Sequence, residues 1–172
     1  NLDEAIDGLL VHSENWQALN LLMEKYHEQL KSIYIDPPYN TDATPILYKN
    51  DYKESSWYSL IADRLKLCLN FLKNSGIIAV SIDDEEVLGL RFILSNIFEQ
   101  ELGIAVVRSN PAGRKTKGKL APAHEYALFY GKTVEATPSY LDITEERLRR
   151  FPKKDEQGNY AWANFIRSGS HD

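Results

Sequence analysis

The sequence predicts an α/β fold, with a parallel or mostly parallel sheet covered by helices on both faces. Three observations carry that expectation. Short apolar and β-branched runs alternate with longer stretches whose apolar residues recur at helical spacing. One of the runs, Ser32–Ile35, stops at the consecutive prolines Pro37 and Pro38, which supply no donors and cannot continue a sheet ladder. A length of 172 residues with 43% hydrophobic and 11% aromatic side chains suits one domain with a buried core and excludes general disorder.

Taken in order, Leu9–His12 reads as a first short strand. Ser13 reads as the cap of a helix on which Trp16, Leu19, Leu22, Met23, Tyr26 and Leu30 share a face. Ser32–Ile35 is the next strand, and a long loop runs from Asp36 to about Lys53. From Glu54 the apolar set Trp57, Leu60, Ile61, Leu65, Leu67, Cys68, Phe71 and Leu72 predicts a helix of about 20 residues stopped by Asn74-Ser75-Gly76. Ile77–Ile82 reads as a buried strand. Asp83 and Asp84 are expected at the positive end of the following helix, whose apolar side is read as Val87, Leu88, Leu90, Phe92, Ile93, Leu94 and Phe98. Ile104–Arg108 and Tyr126–Tyr130 are two further strands separated by a basic, glycine-containing loop. Beyond Gly131 the pattern weakens, leaving a short helix at Glu145–Arg150.

Charge divides the chain. Residues 1–107 hold 8 Lys and Arg against 17 Asp and Glu, a net −9, whereas residues 108–172 hold 12 against 8, a net +4. Arg108, Arg114, Lys115, Lys117 and Lys119 form a run with no acid, and Arg147 to Lys154 carries five more cations. These runs are the candidate phosphate-contacting surfaces, with the first preferred, because pairing with phosphates releases counterions. The longest apolar runs fall far short of the roughly 18 residues of a membrane span, and no basic-then-apolar pattern is read in the first residues, so neither membrane insertion nor secretion is expected. The lone Cys68 forms no internal disulfide, so the expected compartment is the cytoplasm.

The residues that carry chemistry are Asp36-Pro37-Pro38-Tyr39. The prolines hold the backbone stiffly, Asp36 offers an acceptor-only carboxylate, the Pro37 carbonyl offers a second acceptor, and Tyr39 offers a flat ring. Two acceptors and a stacking platform suit a planar heterocycle bearing an exocyclic NH2. When oxygen accepts both amine hydrogens, the nitrogen lone pair localises and the nitrogen becomes nucleophilic.

The stretch Ile33-Tyr34-Ile35-Asp36-Pro37-Pro38-Tyr39-Asn40-Thr41 resembles motif IV of the amino-methyltransferases that act on N6 of adenine or N4 of cytosine. The extended match resembles the Mod subunit of Type III restriction-modification systems. Leu10 to Asn15, Trp57 with Arg64-Leu65, Gly76 to Asp84 and His124-Glu125-Tyr126 support it in family order. The resemblance implies a class I, Rossmann-like methyltransferase sheet flanked by helices and incomplete in this chain. It implies that residues 1–131 are part of a catalytic domain and that 132–172 connect into a target-recognition region absent from it. It further implies S-adenosylmethionine as cofactor, double-stranded DNA as substrate, and a restriction subunit and a second copy as partners. Asp36, Pro37, Pro38 and Tyr39 become the catalytic residues, with adenine N6 favoured, and Glu14 and Asp36 the cofactor contacts. The Phe-x-Gly-x-Gly turn that family members use for the cofactor does not occur here, and Ser13-Glu14 stands where they usually show Gly-Asp.

Other residues carry less. Cys68 lies among apolar neighbours and no Pro-Cys pair occurs, which disfavours the covalent mechanism of C5-cytosine methyltransferases. Asp83 to Glu86 reads as a helix start rather than a metal cluster, and the histidines show no zinc-ligand spacing. His124 and Glu125 could line a pocket or simply open a strand. Two further readings stand beside the DNA enzyme. One is a non-catalytic fragment or DNA-binding subunit; the other is an RNA or protein-glutamine methyltransferase, whose motif usually begins with Asn instead of Asp36.

Overall fold

The computed structural model describes residues 7–40, 53–109, 123–140, 144–156 and 158–162. The chain divides into two compact units, Asn1–Pro138 and Ser139–Asp172. In the first, α1 (Asn15–Tyr26), β1 (Leu30–Ile35), α2 (Lys53–Phe71), β2 (Leu72–Ile82), α3 (Val87–Ile97), β3 (Gln100–Val107) and β4 (Glu125–Gly131) follow in order. Four strands form one sheet in the order β1-β2-β4-β3.

Strands β1 and β2 are parallel, with Ile33 opposite Ile78 and Ile35 opposite Val80. Strand β4 runs antiparallel to both its neighbours, Ile82 facing Tyr126 on one side and Val106 facing Tyr126 on the other. Three strands therefore point one way and one is reversed, so a single strand pairing is parallel where a mostly parallel sheet was expected. The reversal follows from connectivity. The chain leaves β3 and re-enters as β4 at the same sheet end, as an antiparallel neighbour does.

The connections β1-α2-β2 and β2-α3-β3 both step across the sheet in the same direction. One crossover hand therefore puts both helices on the same face. Their apolar stripes meet there: Trp57, Ile61, Leu65 and Cys68 of α2 and Leu90 and Leu94 of α3 pack on Ile78, Val80, Ile82, Leu128 and Tyr130. Each such side chain contributes about 1.5–3 kcal/mol by leaving water. Coverage of both faces was expected. Among the described residues the opposite face carries Tyr34, 68% exposed, whose hydroxyl meets Ser81 Oγ at 2.8 Å.

Several boundaries differ from expectation. Leu9–His12 pairs with no strand among the described residues, and Leu10 is 96% exposed; a run of apolar residues is no strand without a partner edge. Glu14, not Ser13, caps α1: its backbone is extended and its longer side chain reaches the Gln17 N–H, Oε2 accepting at 3.0 Å. Asn74-Ser75-Gly76 does not follow a helix that runs on to it. Helix α2 ends at Phe71, and the three residues sit inside β2, where the register jumps from Leu30 opposite Leu72 to Ser32 opposite Ile77. Gly76 fits that irregularity because a Cβ there would lie 2.8 Å from the Lys73 carbonyl oxygen and 3.1 Å from that of Leu30. Asp83 and Asp84 precede α3 instead of starting it, Asp83 Oδ1 accepting from the Glu85 N–H at 3.1 Å in a local turn.

The second unit holds α4 (Glu145–Leu148), capped by Thr144, and a hairpin of β5 (Lys153–Asp155) and β6 (Gly158–Tyr160) that the sequence pattern did not announce. Lys153 Nζ lies 4.7 Å from the Trp162 ring centroid, and Tyr160 meets the same ring edge-on.

Candidate active site

The sheet brings the candidate residues to one end. The carboxyl ends of β1, β2 and β3 and the amino end of β4 lie together, so Asp36 to Asn40, Asp83 to Glu86, Arg108 and His124-Glu125 all leave the sheet there. Strand β1 stops at Asp36 because Pro37 has no N–H to donate. Pro37 is buried and Asp36 is exposed at the strand's tip.

Three other elements grip the motif. From α2, the fully buried Trp57 donates its indole N–H to the Pro38 carbonyl at 2.7 Å, which also satisfies the indole's only donor. Among the described residues no donor is bonded to the Pro37 carbonyl. From β4, Glu125 Oε2 accepts from the Tyr39 hydroxyl at 3.3 Å. From the start of α3, Glu86 Oε1 accepts from Asn40 Nδ2 at 2.7 Å; Asn40 is 2% and Glu86 5% exposed. Asn40 has φ +57°, the left-handed region that Asn tolerates better than most residues. Burial, then hydrogen bonding to Asp36 and the negative charges of Asp36 and Glu125, push the Tyr39 hydroxyl far above the ordinary tyrosine range. It is a neutral donor throughout the working pH range.

A cavity of about 490 Å³ adjoins the motif, within the size range of small-molecule sites. Its walls are largely apolar, formed by Leu19, Ile33, Ile35, Leu60 and Val80 among others, and its polar groups include Asp36, Asn15 and Arg64. Glu14 stands behind Arg64: Oε1 accepts from Arg64 Nη2 at 2.8 Å while Oε2 caps α1. The backbone N–H groups of Gln17 and Trp16, and then Arg64, hold the Glu14 carboxyl below the usual carboxylate range. Cys68 also lines the cavity, and burial pushes its thiol up to about 11, which keeps it protonated.

Beside the motif, His124 Nε2 lies 3.0 Å from the Tyr126 hydroxyl and 3.5 Å from Asp84 Oδ1. Arg108 is exposed just beyond the end of β3, and the neighbouring Ser109 N–H bonds the Ala123 carbonyl at 3.2 Å. Arg114, Lys115, Lys117 and Lys119 lie outside the described residues. The sequence reading located the tetrapeptide but missed Asn40 and Glu86 as its anchors. The signal available was an Asn directly after the motif, a residue suited to positive φ.

A mixed α/β sheet with this motif at its carboxyl end is the architecture of Rossmann-like methyltransferases, and solved structures agree. A Thermus thermophilus protein classed as a DNA modification methylase, solved with S-adenosyl-L-methionine, superposes with a TM-score of 0.59 at 10% identity, over 82% of this chain and 62% of that one. The cytosine-N4-specific PvuII DNA methyltransferase gives 0.51 at 18% identity, over 73% and 49%. Residues 30–167 match the N6/N4 methyltransferase family of DNA methylases, and the chain belongs to that family. It is 40% identical over 142 residues to the Type II methyltransferase M.KpnI of Klebsiella pneumoniae, covering 77% of this chain and 34% of that protein. It is 26% identical over 198 residues to the Type III restriction-modification enzyme EcoPI Mod subunit of Escherichia phage P1, covering 96% and 31%. The chain thus spans about a third of the length of these relatives. No helix among the described residues is long and apolar enough to cross a membrane.

Proposed function

We propose that this chain is the motif-bearing part of a DNA amino-methyltransferase of a restriction-modification system, transferring a methyl group from S-adenosylmethionine to the exocyclic amine of a flipped base, adenine N6 in preference to cytosine N4. The observation that carries the reading is the pair of acceptors at the tip of β1. The Asp36 carboxylate is exposed, and among the described residues no donor is bonded to the Pro37 carbonyl, Trp57 donating to that of Pro38. Both amine hydrogens can be received there while the base rests on Tyr39. The Asp36 carboxylate also stands ready to receive the proton that the amine sheds after methylation. No covalent enzyme intermediate is required, in keeping with a Cys68 thiol held protonated in the core.

The residues present fit the cofactor. The cavity beside Asp36 combines apolar walls for a heterocycle with an anionic and a cationic side chain, Asp36 and Arg64, for a ligand bearing both charges. When bound, S-adenosylmethionine supplies the electrophilic methyl group. Asp36 and Arg64 would hold it, and Glu14 would act on it by fixing Arg64. Residues 1–131 then form part of the catalytic domain, and residues 132–172 lead toward target recognition. Double-stranded DNA is the substrate, held through Arg108, Arg114, Lys115, Lys117 and Lys119. The likeness to Mod subunits supports a restriction subunit and a second copy of the protein as partners.

The test is methyl incorporation into DNA by the full-length protein and its Asp36→Ala variant. Removing a charge-stabilising contact made in the transition state costs about 100- to 1000-fold in rate. DNA affinity should change little, because Asp36 contributes no phosphate contact. Near-wild-type turnover by Asp36→Ala would remove the motif from the mechanism.

A further inference from the structure

Glu86 occupies the N-cap position of α3 and yet makes no side-chain bond to its own helix. The residue is 5% exposed, and its carboxylate instead crosses to Asn40 at 2.7 Å. A buried carboxylate is costly unless it is hydrogen-bonded and electrostatically supported. Here the support comes from the positive end of an 11-residue helix. The bond reaches the one described residue between Pro37 and Trp57 that sits at positive φ, directly after Tyr39. Trp57 holds the Pro38 carbonyl on the other side of that tyrosine. Helices α2 and α3 thus fasten the backbone immediately before and immediately after Tyr39, and Asp36 and Pro37 are carried by the fastened segment.

We propose that Glu86 is a positioning residue for methyl transfer: by anchoring the Asn40 side chain it fixes the path of Asp36 to Tyr39, so that the two acceptors meet the amine in register. The proposal rests on the methyl-transfer reading above. Asn40 and Glu86 act as one unit, donor and acceptor, and their identities are exchangeable as a pair. Asn40→Asp alone places carboxylate against carboxylate. Adding Glu86→Gln restores a donor facing an acceptor with the direction reversed, at nearly unchanged volume, and Asp like Asn tolerates the left-handed backbone.

The experiment measures kcat, KM for DNA and melting temperature in the full-length protein for Asn40→Asp, Glu86→Gln, Glu86→Ala and the double variant Asn40→Asp/Glu86→Gln. Misplacing reacting groups by about an ångström costs on the order of 100-fold, and that is the expected fall in kcat for Asn40→Asp and Glu86→Ala. KM for DNA should stay within about threefold, since ground-state binding does not use the pair. Glu86→Gln, which still offers an acceptor to Asn40, should keep most of the activity. The double variant should recover at least about tenfold over Asn40→Asp, the signature of direct coupling. If Glu86→Ala fails to fold, the near-isosteric Asn40→Asp and double variant still decide the matter. An unchanged kcat in Asn40→Asp, no recovery in the double variant, or a loss of kcat that only parallels lost stability and DNA affinity would overturn the positioning role. A wild-type protein that methylates no DNA would overturn the functional reading, and this proposal with it.

Discussion

Tyr39 is held at both ends of its side chain. Its ring packs against the edge of the core, and its hydroxyl donates to Glu125, 86 residues further along the chain. The bond is long at 3.3 Å, so its loss should cost no more than about 1 kcal/mol, whereas base–aromatic stacking is worth about 1–3 kcal/mol. Tyr39→Ala should therefore lower kcat/KM on DNA by about tenfold or more, and Tyr39→Phe should lose only a few-fold. Steady-state methylation kinetics on a single-site duplex compare the two directly. A Phe variant as impaired as Ala would identify the hydroxyl as the working group and end the stacking role. The reading of the ring as a platform comes from the sequence, where an aromatic stands next to two prolines and a carboxylate. Its partner was not. Nothing in the residues around position 125 tells that β4 will reverse and place Glu125 opposite Val107 at the motif's end of the sheet.

Helix α1 depends on one cap that changes with pH. The Gln17 and Trp16 N–H groups and Arg64 hold the Glu14 pKa below the ordinary glutamate value of about 4.3. A carboxyl whose folded pKa is depressed contributes stability above its unfolded pKa, and the contribution is lost as pH falls through the folded value. Acidification from pH 6 to 3 should accordingly loosen the start of α1, with hydrogen exchange at the Gln17 amide becoming less protected relative to the intrinsic rate. Glu14→Ala should show that loss of protection at neutral pH, and equal protection in both proteins would rule out the cap. Glu14 illustrates how far elements could be read from sequence. The existence of α1, α2, α3 and most strands followed from apolar spacing, but their ends did not, because Ser13, Asn74-Ser75-Gly76 and Asp83-Asp84 all satisfy local rules for helix ends. Which candidate caps, and which falls within a strand irregularity, is decided by tertiary partners: Arg64 for Glu14, and the Leu30 carbonyl for Gly76. Likewise β5 and β6 are only three residues each, too short to print a period.

At the scale of the whole sheet, strand direction decides which residues share the motif's end. Strand β3 runs the same way as β1, so Arg108 leaves the sheet at the end that carries Asp36, and the chain returns there as β4 with Ser109 bonded to Ala123. Ser109 and Ala123, the described residues on either side of the segment with Arg114, Lys115, Lys117 and Lys119, both stand at the motif's end of the sheet. The charge of that segment was legible in the sequence; where its described flanking residues leave the sheet was not, because it depends on the reversal of β4. On the proposed function, these cations grip the backbone flanking a flipped nucleotide without reading bases. Replacing Arg114, Lys115 and Lys117 together by Ala in the full-length protein should then weaken specific and non-specific DNA by similar factors, and it should flatten the slope of log affinity against log salt by up to about 3. Steering should suffer as well, so the association rate at low salt should fall more than the dissociation rate rises. Fluorescence-anisotropy titrations from low to moderate salt read the slope, and stopped-flow mixing reads the rates. An unchanged slope would move the phosphate-binding surface to Arg147 to Lys154, where Lys153 and the exposed Trp162 ring pair a cation with a stacking face. Substituting Lys153 and Lys154 should then flatten the same plot by up to about 2.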